Sequence, residues 1–186
     1  MQFVVGLLVL YLGLTHSWDF AVTHGDLLEF YTNDTKTDTV RLDSHDLGAL
    51  AYDEVHDIMM YVDKQRNNDA ICGYRMYSKV HQCFTKRNGR NIHSLAIDPA
   101  KETLFFSDTN ERSIRRISLK LDSDFEDHNV ITMFLGIPTD IAVDICSGFV
   151  YFIRTGVETP LIEKIRVDGT GGEVVIRRHA GVPTAT

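Results

Sequence analysis

Residues 95–108 read LAIDPAKETLFFSD, and two further segments of the chain follow the same order of residue types. They are LAYDEVHDIMMYVD at 50–63 and IAVDICSGFVYFIR at 141–154. Each has an apolar triplet, an aspartate, a short turn and an aromatic-rich run. The aspartates are Asp53, Asp98 and Asp144, so the period is 45 to 46 residues. A fixed period of this length indicates a repeat architecture.

Within one period the pattern is that of β-structure. Short aromatic and β-branched runs are separated by turn signals such as Asn88-Gly89 and Asp168-Gly169, which favour two-residue hairpins. No stretch carries an apolar stripe at helical spacing. Four short antiparallel strands per period are typical of a β-propeller blade. We therefore predict an all-β chain with about three blades that start near residues 50, 95 and 141; a β-sandwich or a solenoid is the alternative.

Composition excludes several classes of protein. The 186 residues are 44% hydrophobic and 24% charged, which is ordinary for a globular domain and argues against intrinsic disorder. The formal charge of −7 argues against a nucleic-acid binder that relies on a basic field. Three cysteines are too few for a scaffold built from disulfides.

The amino terminus resembles a secretory signal peptide. Residues 3–14 form an uncharged apolar run that is too short for a spanning helix, which needs about 20 residues, and has the length of a signal sequence. We predict cleavage after Ser17, so that residues 18–186 form the mature domain; a buried N-terminal helix or strand is the alternative. In the secretory pathway the Asn33-Asp34-Thr35 sequon becomes a candidate for N-glycosylation.

The candidate sites are few. In an oxidising compartment Cys72 and Cys83 are candidates for a disulfide, while Cys146 is left unpaired or has its partner outside this chain. The eight histidines show no metal-binding spacing. We expect Asp53, Asp98 and Asp144 to bond backbone amides of the following turns rather than to converge on a channel. No motif of a catalytic or phosphate-binding site is present, so we expect no catalytic, metal or cofactor site.

A small basic cluster lies in the second repeat. It consists of Arg112, Arg115, Arg116 and Lys120 and precedes the acidic run at 122–127. A solvated strand face is the first interpretation. The functional interpretation is a patch that contacts an acidic protein partner.

The aromatic runs resemble the tetrads of low-density-lipoprotein-receptor class B repeats, the YWTD modules of six-bladed extracellular propellers. Residues 60–63 (MYVD), 105–108 (FFSD) and 151–154 (YFIR) occupy the tetrad positions. The resemblance implies that Asp63, Asp108 and the tetrad hydroxyl residue brace neighbouring blades through hydrogen bonds. Arg154 departs from this pattern because it stands where the third aspartate belongs.

Further details, such as Trp18-Asp19 directly after the signal sequence and the residues around Cys146, resemble an insect branch of this family. That branch implies a type I membrane glycoprotein with EGF-like modules and a spanning helix after the propeller, an extracellular protein ligand, and a role in oogenesis and spermatogenesis. The protein would lie at the cell membrane if the chain is longer, and would be secreted if it ends at Thr186.

Two other functions remain open. The first is a propeller enzyme of the gluconolactonase or strictosidine-synthase kind with a channel-bound metal. The second is a degenerate secreted fragment. Because a blade cannot bury its apolar faces alone, three blades would leave two faces open, and we expect the isolated chain to be marginally stable or to associate.

Overall fold

The computed structural model describes residues 8–9, 18–44, 46–64, 69–86, 90–120 and 127–177. This part of the chain is all-β and forms four antiparallel sheets of four strands each, in chain order. The first sheet comprises β1 (Leu8–Val9), β2 (Phe20–His24), β3 (Leu27–Thr32) and β4 (Thr35–Arg41), and the second β5 (Leu47–Asp53), β6 (Ile58–Asp63), β7 (Ala70–Arg75) and β8 (Val80–Lys86). The third comprises β9 (Ile92–Asp98), β10 (Thr103–Asp108), β11 (Ser113–Ser118) and β12 (Asp127–Thr132), and the fourth β13 (Ile137–Asp144), β14 (Phe149–Thr155), β15 (Leu161–Arg166) and β16 (Glu173–Arg177).

The all-β prediction is confirmed, but the number of sheets is four rather than about three. The sheet that the sequence did not reveal precedes the first repeat. Its strands β2 to β4 lack the apolar triplet with aspartate, and its first strand, β1, has only two residues, which pair with Ala21 and Phe20. Leu8 and Val9 belong to the stretch that resembles a signal peptide, most of which lies outside the described residues. Removal of residues 1–17 would therefore remove β1.

The core forms because side chains of strands such as β6 and β10 point alternately to the two faces of their sheet. In β6 all six residues are buried, because successive side chains of a strand point to opposite faces and both faces of the second sheet are covered. Tyr61 packs in the cluster shared with the first sheet, and Met60 in the cluster shared with the third. The same relation places Phe106 against the second sheet and Phe105 against the fourth. Each fully buried side chain of this size contributes about 1.5–3 kcal/mol to folding.

The stacking of the sheets explains why two large side chains recur at the start of each tetrad. The first of them, Met60 or Phe105, faces the following sheet, and the second, Tyr61 or Phe106, faces the preceding sheet. In the fourth sheet Phe152 is buried against the third sheet, whereas Tyr151 and Ile153 are only half-buried. No further sheet covers that face among the residues that the structure describes.

Turns hold neighbouring sheets in place. A turn is present at Asp168-Gly169, with the Gly169 φ at +89°. Six residues, 167–172, separate β15 from β16, so the loop is longer than the predicted two-residue hairpin. A Cβ atom at Gly169 would lie 2.4 Å from the carbonyl oxygen of Val130 in β12, so only glycine allows this turn to touch the third sheet. The Asn88-Gly89 turn lies outside the described residues. Within the described ranges, no helix has the length and apolar character needed to cross a membrane.

Candidate functional site

The repeat aspartate of the second sheet caps the turn that follows it. Asp53 is 1% exposed, and its Oδ1 accepts hydrogen bonds from the backbone N–H groups of Val55 and His56 at 3.0 and 3.1 Å. Its Oδ2 lies 2.7 Å from His56 Nδ1. The other ring nitrogen, Nε2, lies 3.2 Å from Oε1 of Glu102 in the third sheet. This aspartate therefore organises its turn and, through His56, the contact between two sheets.

The equivalent aspartates are used in the same way. Asp98 Oδ1 accepts from the backbone N–H of Lys101 at 3.2 Å, which closes the single 3₁₀ turn Pro99–Lys101. Asp144 Oδ1 accepts from Cys146 and Ser147 at 3.0 and 3.1 Å, and the Ser147 hydroxyl donates to Oδ2. The hydrogen bonds from Ser147, hydroxyl first, lower the pKa of Asp144 below its ordinary value. All three carboxylates thus serve their own turns.

The hydroxyl residue of the 105–108 tetrad braces the neighbouring sheet. Ser107, which is 0% exposed, donates through Oγ to the carbonyl oxygen of Thr139 in β13 at 2.6 Å and accepts from the backbone N–H of Ser94 at 3.1 Å. Ser94 Oγ in turn accepts from the Ile141 backbone N–H at 3.2 Å. The two hydroxyls therefore bridge the third and fourth sheets. Ser94 was not expected from the sequence, since nothing local marks it.

The tetrad aspartates are buried at the ends of their strands. Asp63 is 3% exposed and Asp108 is 0% exposed. Asp108 Oδ1 accepts from the backbone N–H groups of Asn110 and Glu111 at 3.0 and 3.2 Å, so it also caps a turn. Arg154, at the last position of the third tetrad, pairs with Glu163 in the adjacent strand, with 3.0 Å between Nη2 and Oε1.

The ion pair of Lys64 and Asp69 connects the second and third sheets. The sequence did not predict it. Lys64 Nζ lies 2.7 Å from Asp69 Oδ2 and also donates to the Ile92 carbonyl oxygen. Asp69 Oδ2 accepts from the Ile92 backbone N–H at 2.7 Å. The only signal available was a lysine directly after the tetrad aspartate, and its partners become neighbours only through the packing of two sheets.

Cys72 and Cys83 form a disulfide. They lie directly opposite each other on β7 and β8, and their Cα atoms are 3.9 Å apart, closer than the roughly 4.4–6.8 Å that is usual. His81 Nε2 lies 3.5 Å from Cys83 Sγ, and the His81 ring stacks on Tyr61. Cys72, His81 and Cys83 are the one group of three candidate metal ligands in the described residues. Because the two sulfurs are bonded to each other, they offer no thiolate to a metal.

The remaining candidates are exposed. Cys146 is a free cysteine in the exposed turn between β13 and β14. Asn33 occupies an exposed turn with φ of +49°, and its backbone N–H donates to Asp19 Oδ2 at 2.7 Å. Both positions are accessible to solvent, as modification of either side chain requires.

The predicted basic cluster does not form one patch. Arg115 and Arg116 are successive residues of β11, so they point to opposite faces of the sheet. Arg115 pairs with Glu111 at 2.9 Å, while Arg116 donates to the Val167 carbonyl oxygen in the fourth sheet at 2.9 Å. Arg112 and Lys120 are exposed, and most of the acidic run at 122–127 lies outside the described residues. Arg115 and Arg116 therefore have structural partners on different faces of the sheet.

A cleft of about 360 Å³ opens between the third and fourth sheets, within the size range of sites that bind small molecules or side chains. Phe152 and Ile165 line it on one side, and Met133 and Leu135 on the other. At its rim Phe134 is 97% exposed and Leu135 is 72% exposed. We refer to the residues that line it, Ile131–Leu135, Phe152, Arg154, Glu163–Ile165, Gly172 and Glu173, as the cleft.

No protein-family model matches this chain. Among curated proteins it is similar to Protein cueball of Drosophila virilis, with 28% identity over 90% of this chain, and to that of Drosophila ananassae, with 29% identity over 92%. The chain spans 28% of the length of these relatives.

The fold is similar to those of solved β-propeller structures. A chain of a nidogen/laminin complex matches with a TM-score of 0.71 and 16% identity, over 88% of this chain and 62% of that one. A gluconolactonase from Xanthomonas campestris matches with a TM-score of 0.67 and 14% identity, over 83% and 57%. A luciferin-regenerating enzyme matches with a TM-score of 0.69 and 12% identity, over 94% and 62%. The comparisons thus show homologues named Protein cueball in Drosophila and a propeller fold built from four-stranded sheets.

Proposed function

We propose that this chain is the extracellular protein-binding module of a cueball-like type I membrane glycoprotein, and that it recognises a protein without catalysing a reaction. The observation that carries the proposal is the use of the polar repeat residues. Asp53, Asp98 and Asp144 each cap their own turn, which removes the obvious ligands for a catalytic metal. Exposed large apolar side chains remain, notably Phe134 and Leu135, and these are typical of protein contacts.

Several finer features belong to the same proposal. They are a six-bladed ring of the YWTD class, signal-peptide cleavage after Ser17, glycosylation at Asn33, EGF-like modules with a spanning helix beyond this chain, and a role in oogenesis and spermatogenesis. Expression in insect cells tests the first steps of secretion. We expect a secreted product that begins at Trp18 and loses mass on treatment with peptide N-glycosidase, and an intracellular, unmodified product would contradict this.

Binding to intact cells tests the proposed function itself. The free thiol of Cys146 lies in an exposed turn and accepts a fluorescent maleimide in the native protein. We expect the labelled chain to bind ovary-derived insect cells saturably, and we expect protease treatment of the cells to abolish binding. Binding that does not saturate, or that survives proteolysis, would refute recognition of a cell-surface protein.

The second candidate is a propeller enzyme, and the observation that favours it is the similarity to the gluconolactonase fold. Metal analysis of the purified protein together with a lactone-hydrolysis assay separates the two functions. Stoichiometric calcium or zinc with turnover that a chelator abolishes would favour the enzyme. Protein without turnover after addition of either metal would favour the binding module.

A further inference from the structure

The cleft differs from the equivalent place between the second and third sheets. There Arg90, two residues before β9, is 2% exposed, and its guanidinium carbon lies 5.2 Å from the centre of the Phe106 ring. Arg90, in the loop before β9, therefore covers Phe106, the second aromatic residue of the 105–108 tetrad.

The loop before β13 leaves the same position open. Gly136, directly before β13, stands where Arg90 stands in the preceding repeat, and glycine has no side chain that could cover Phe152. The neighbouring Leu135 is 72% exposed. Phe152 is the counterpart of Phe106, and the space over it is the cavity of about 360 Å³. The cleft is bounded by two sheets that are both present, so it does not depend on any sheet that would follow the fourth.

The lining selects an apolar occupant over a charged one. Phe152, Ile165, Met133 and Leu135 supply apolar surface. Four charged residues also line it, namely Arg154, Glu163, Lys164 and Glu173. They form two ion pairs at 3.0 Å, Arg154 with Glu163 and Lys164 with Glu173, which leaves no net charge to attract a charged group.

The exposed rim indicates a protein partner. Phe134, at 97% exposure, is a large aromatic side chain beside a cavity, and such residues dominate the binding energy of protein interfaces. Val174, which follows the lining residue Glu173 in the outer strand β16, is 42% exposed. Exposed apolar side chains beside a cavity are typical of an interaction site.

We propose that the cleft between the third and fourth sheets binds a segment of a partner protein by taking one large apolar side chain, of leucine or phenylalanine size, between Phe152 and Leu135, with Phe134 packing over it. The inference rests on the proposed function as a protein-binding module and names the surface and the chemistry that it uses.

The test uses the ¹⁵N-labelled full chain and four capped pentapeptides, Gly-Ser-X-Ser-Gly, with leucine, phenylalanine, arginine or aspartate at X. We expect the leucine and phenylalanine peptides to shift the amide signals of Met133, Phe152 and Ile165, and the charged peptides to leave them in place. In Phe134→Ser the affinity for the leucine peptide falls about tenfold, since loss of an anchor costs more than 1 kcal/mol.

Tyr77→Ser is the matched control, because Tyr77 is 93% exposed and lies in the turn between β7 and β8; we expect it to bind as wild type does. Both substitutions are at exposed positions, so a folding defect does not confuse the result. The proposal is overturned if the apolar peptides leave the cleft signals unchanged, if the charged peptides bind equally well, or if Phe134→Ser binds as wild type does. Any of these outcomes with saturable cell binding intact would refute the cleft alone, whereas loss of cell binding by wild type would refute the proposed function.

Discussion

The Cys72–Cys83 disulfide gives the sharpest test of how the second sheet is held together. It joins directly opposed residues of β7 and β8 across a sequence separation of 11. Closing a loop of this length lowers the entropy of the unfolded chain by about 9 cal/mol/K, which corresponds to about 3 kcal/mol at 25 °C. Replacement of both cysteines by alanine also removes the sulfur of Cys72, which is fully buried. We therefore expect the double variant to lose about 3 to 4 kcal/mol.

Urea unfolding followed by intrinsic fluorescence measures this loss. With an m value of about 2 kcal/mol/M, the midpoint of the double variant falls by about 1.5 to 2 M. Wild type reduced with dithiothreitol should lose about 3 kcal/mol, because it keeps both sulfur atoms. Cys146→Ala is the control, and we expect a change within about 0.5 kcal/mol because the residue is exposed. Midpoints of wild type and the double variant within about 0.3 M of each other would refute the reasoning.

Three further predictions concern turns and the contacts between sheets. Ser107→Ala removes the bridge to the fourth sheet and should cost about 1–3 kcal/mol in the same unfolding assay; an unchanged midpoint would contradict a bracing role. Gly169→Ala should cost more than about 2 kcal/mol, because a Cβ would meet the Val130 carbonyl oxygen at 2.4 Å, whereas Gly25→Ala, with φ of +62° but open space, should cost about 1 kcal/mol. The pKa of Asp144 is lower in the folded state than its ordinary 3.8, so its stabilising effect is present above that value and is lost as pH falls through the folded pKa. Thermal unfolding from pH 5 to 2 should therefore show a smaller fall in Tm for Asp144→Asn than for wild type, and parallel curves would contradict this.

The predicted signal-peptide cleavage would change the first sheet. Signal-peptide cleavage after Ser17 would remove β1, which pairs with Phe20 and Ala21. The first sheet would then have three strands, and the backbone groups of β2 would lie at an open edge, which is a site of association between sheets. Such an edge, together with the half-buried outer face of the fourth sheet, gives a physical reason for the prediction that the isolated chain associates.

The sequence was sufficient for whatever depends on neighbours along the chain. Alternation of apolar residues predicted the strands because a strand buries every second side chain, and the aspartate after each apolar triplet marked a turn because its carboxylate reaches amides two and three residues away. The 45-residue period revealed the stacking of equal units. The sequence did not predict the first sheet, because this sheet lacks both the apolar triplet and the aspartate that follows it. Its first strand, β1, is also only two residues long.

Contacts between sheets were decided by the tertiary structure alone. Ser107 bonds to a carbonyl group 32 residues away, Lys64 to one 28 residues away, and Arg116 to one 51 residues away, and no local pattern encodes such partners. The cleft has the same origin, since its lining comes from both the third and the fourth sheets and no pattern within either sheet shows the space between them. Local sequence fixes the direction in which a side chain leaves its strand, whereas the space that it meets is set by a second sheet folded from residues far along the chain.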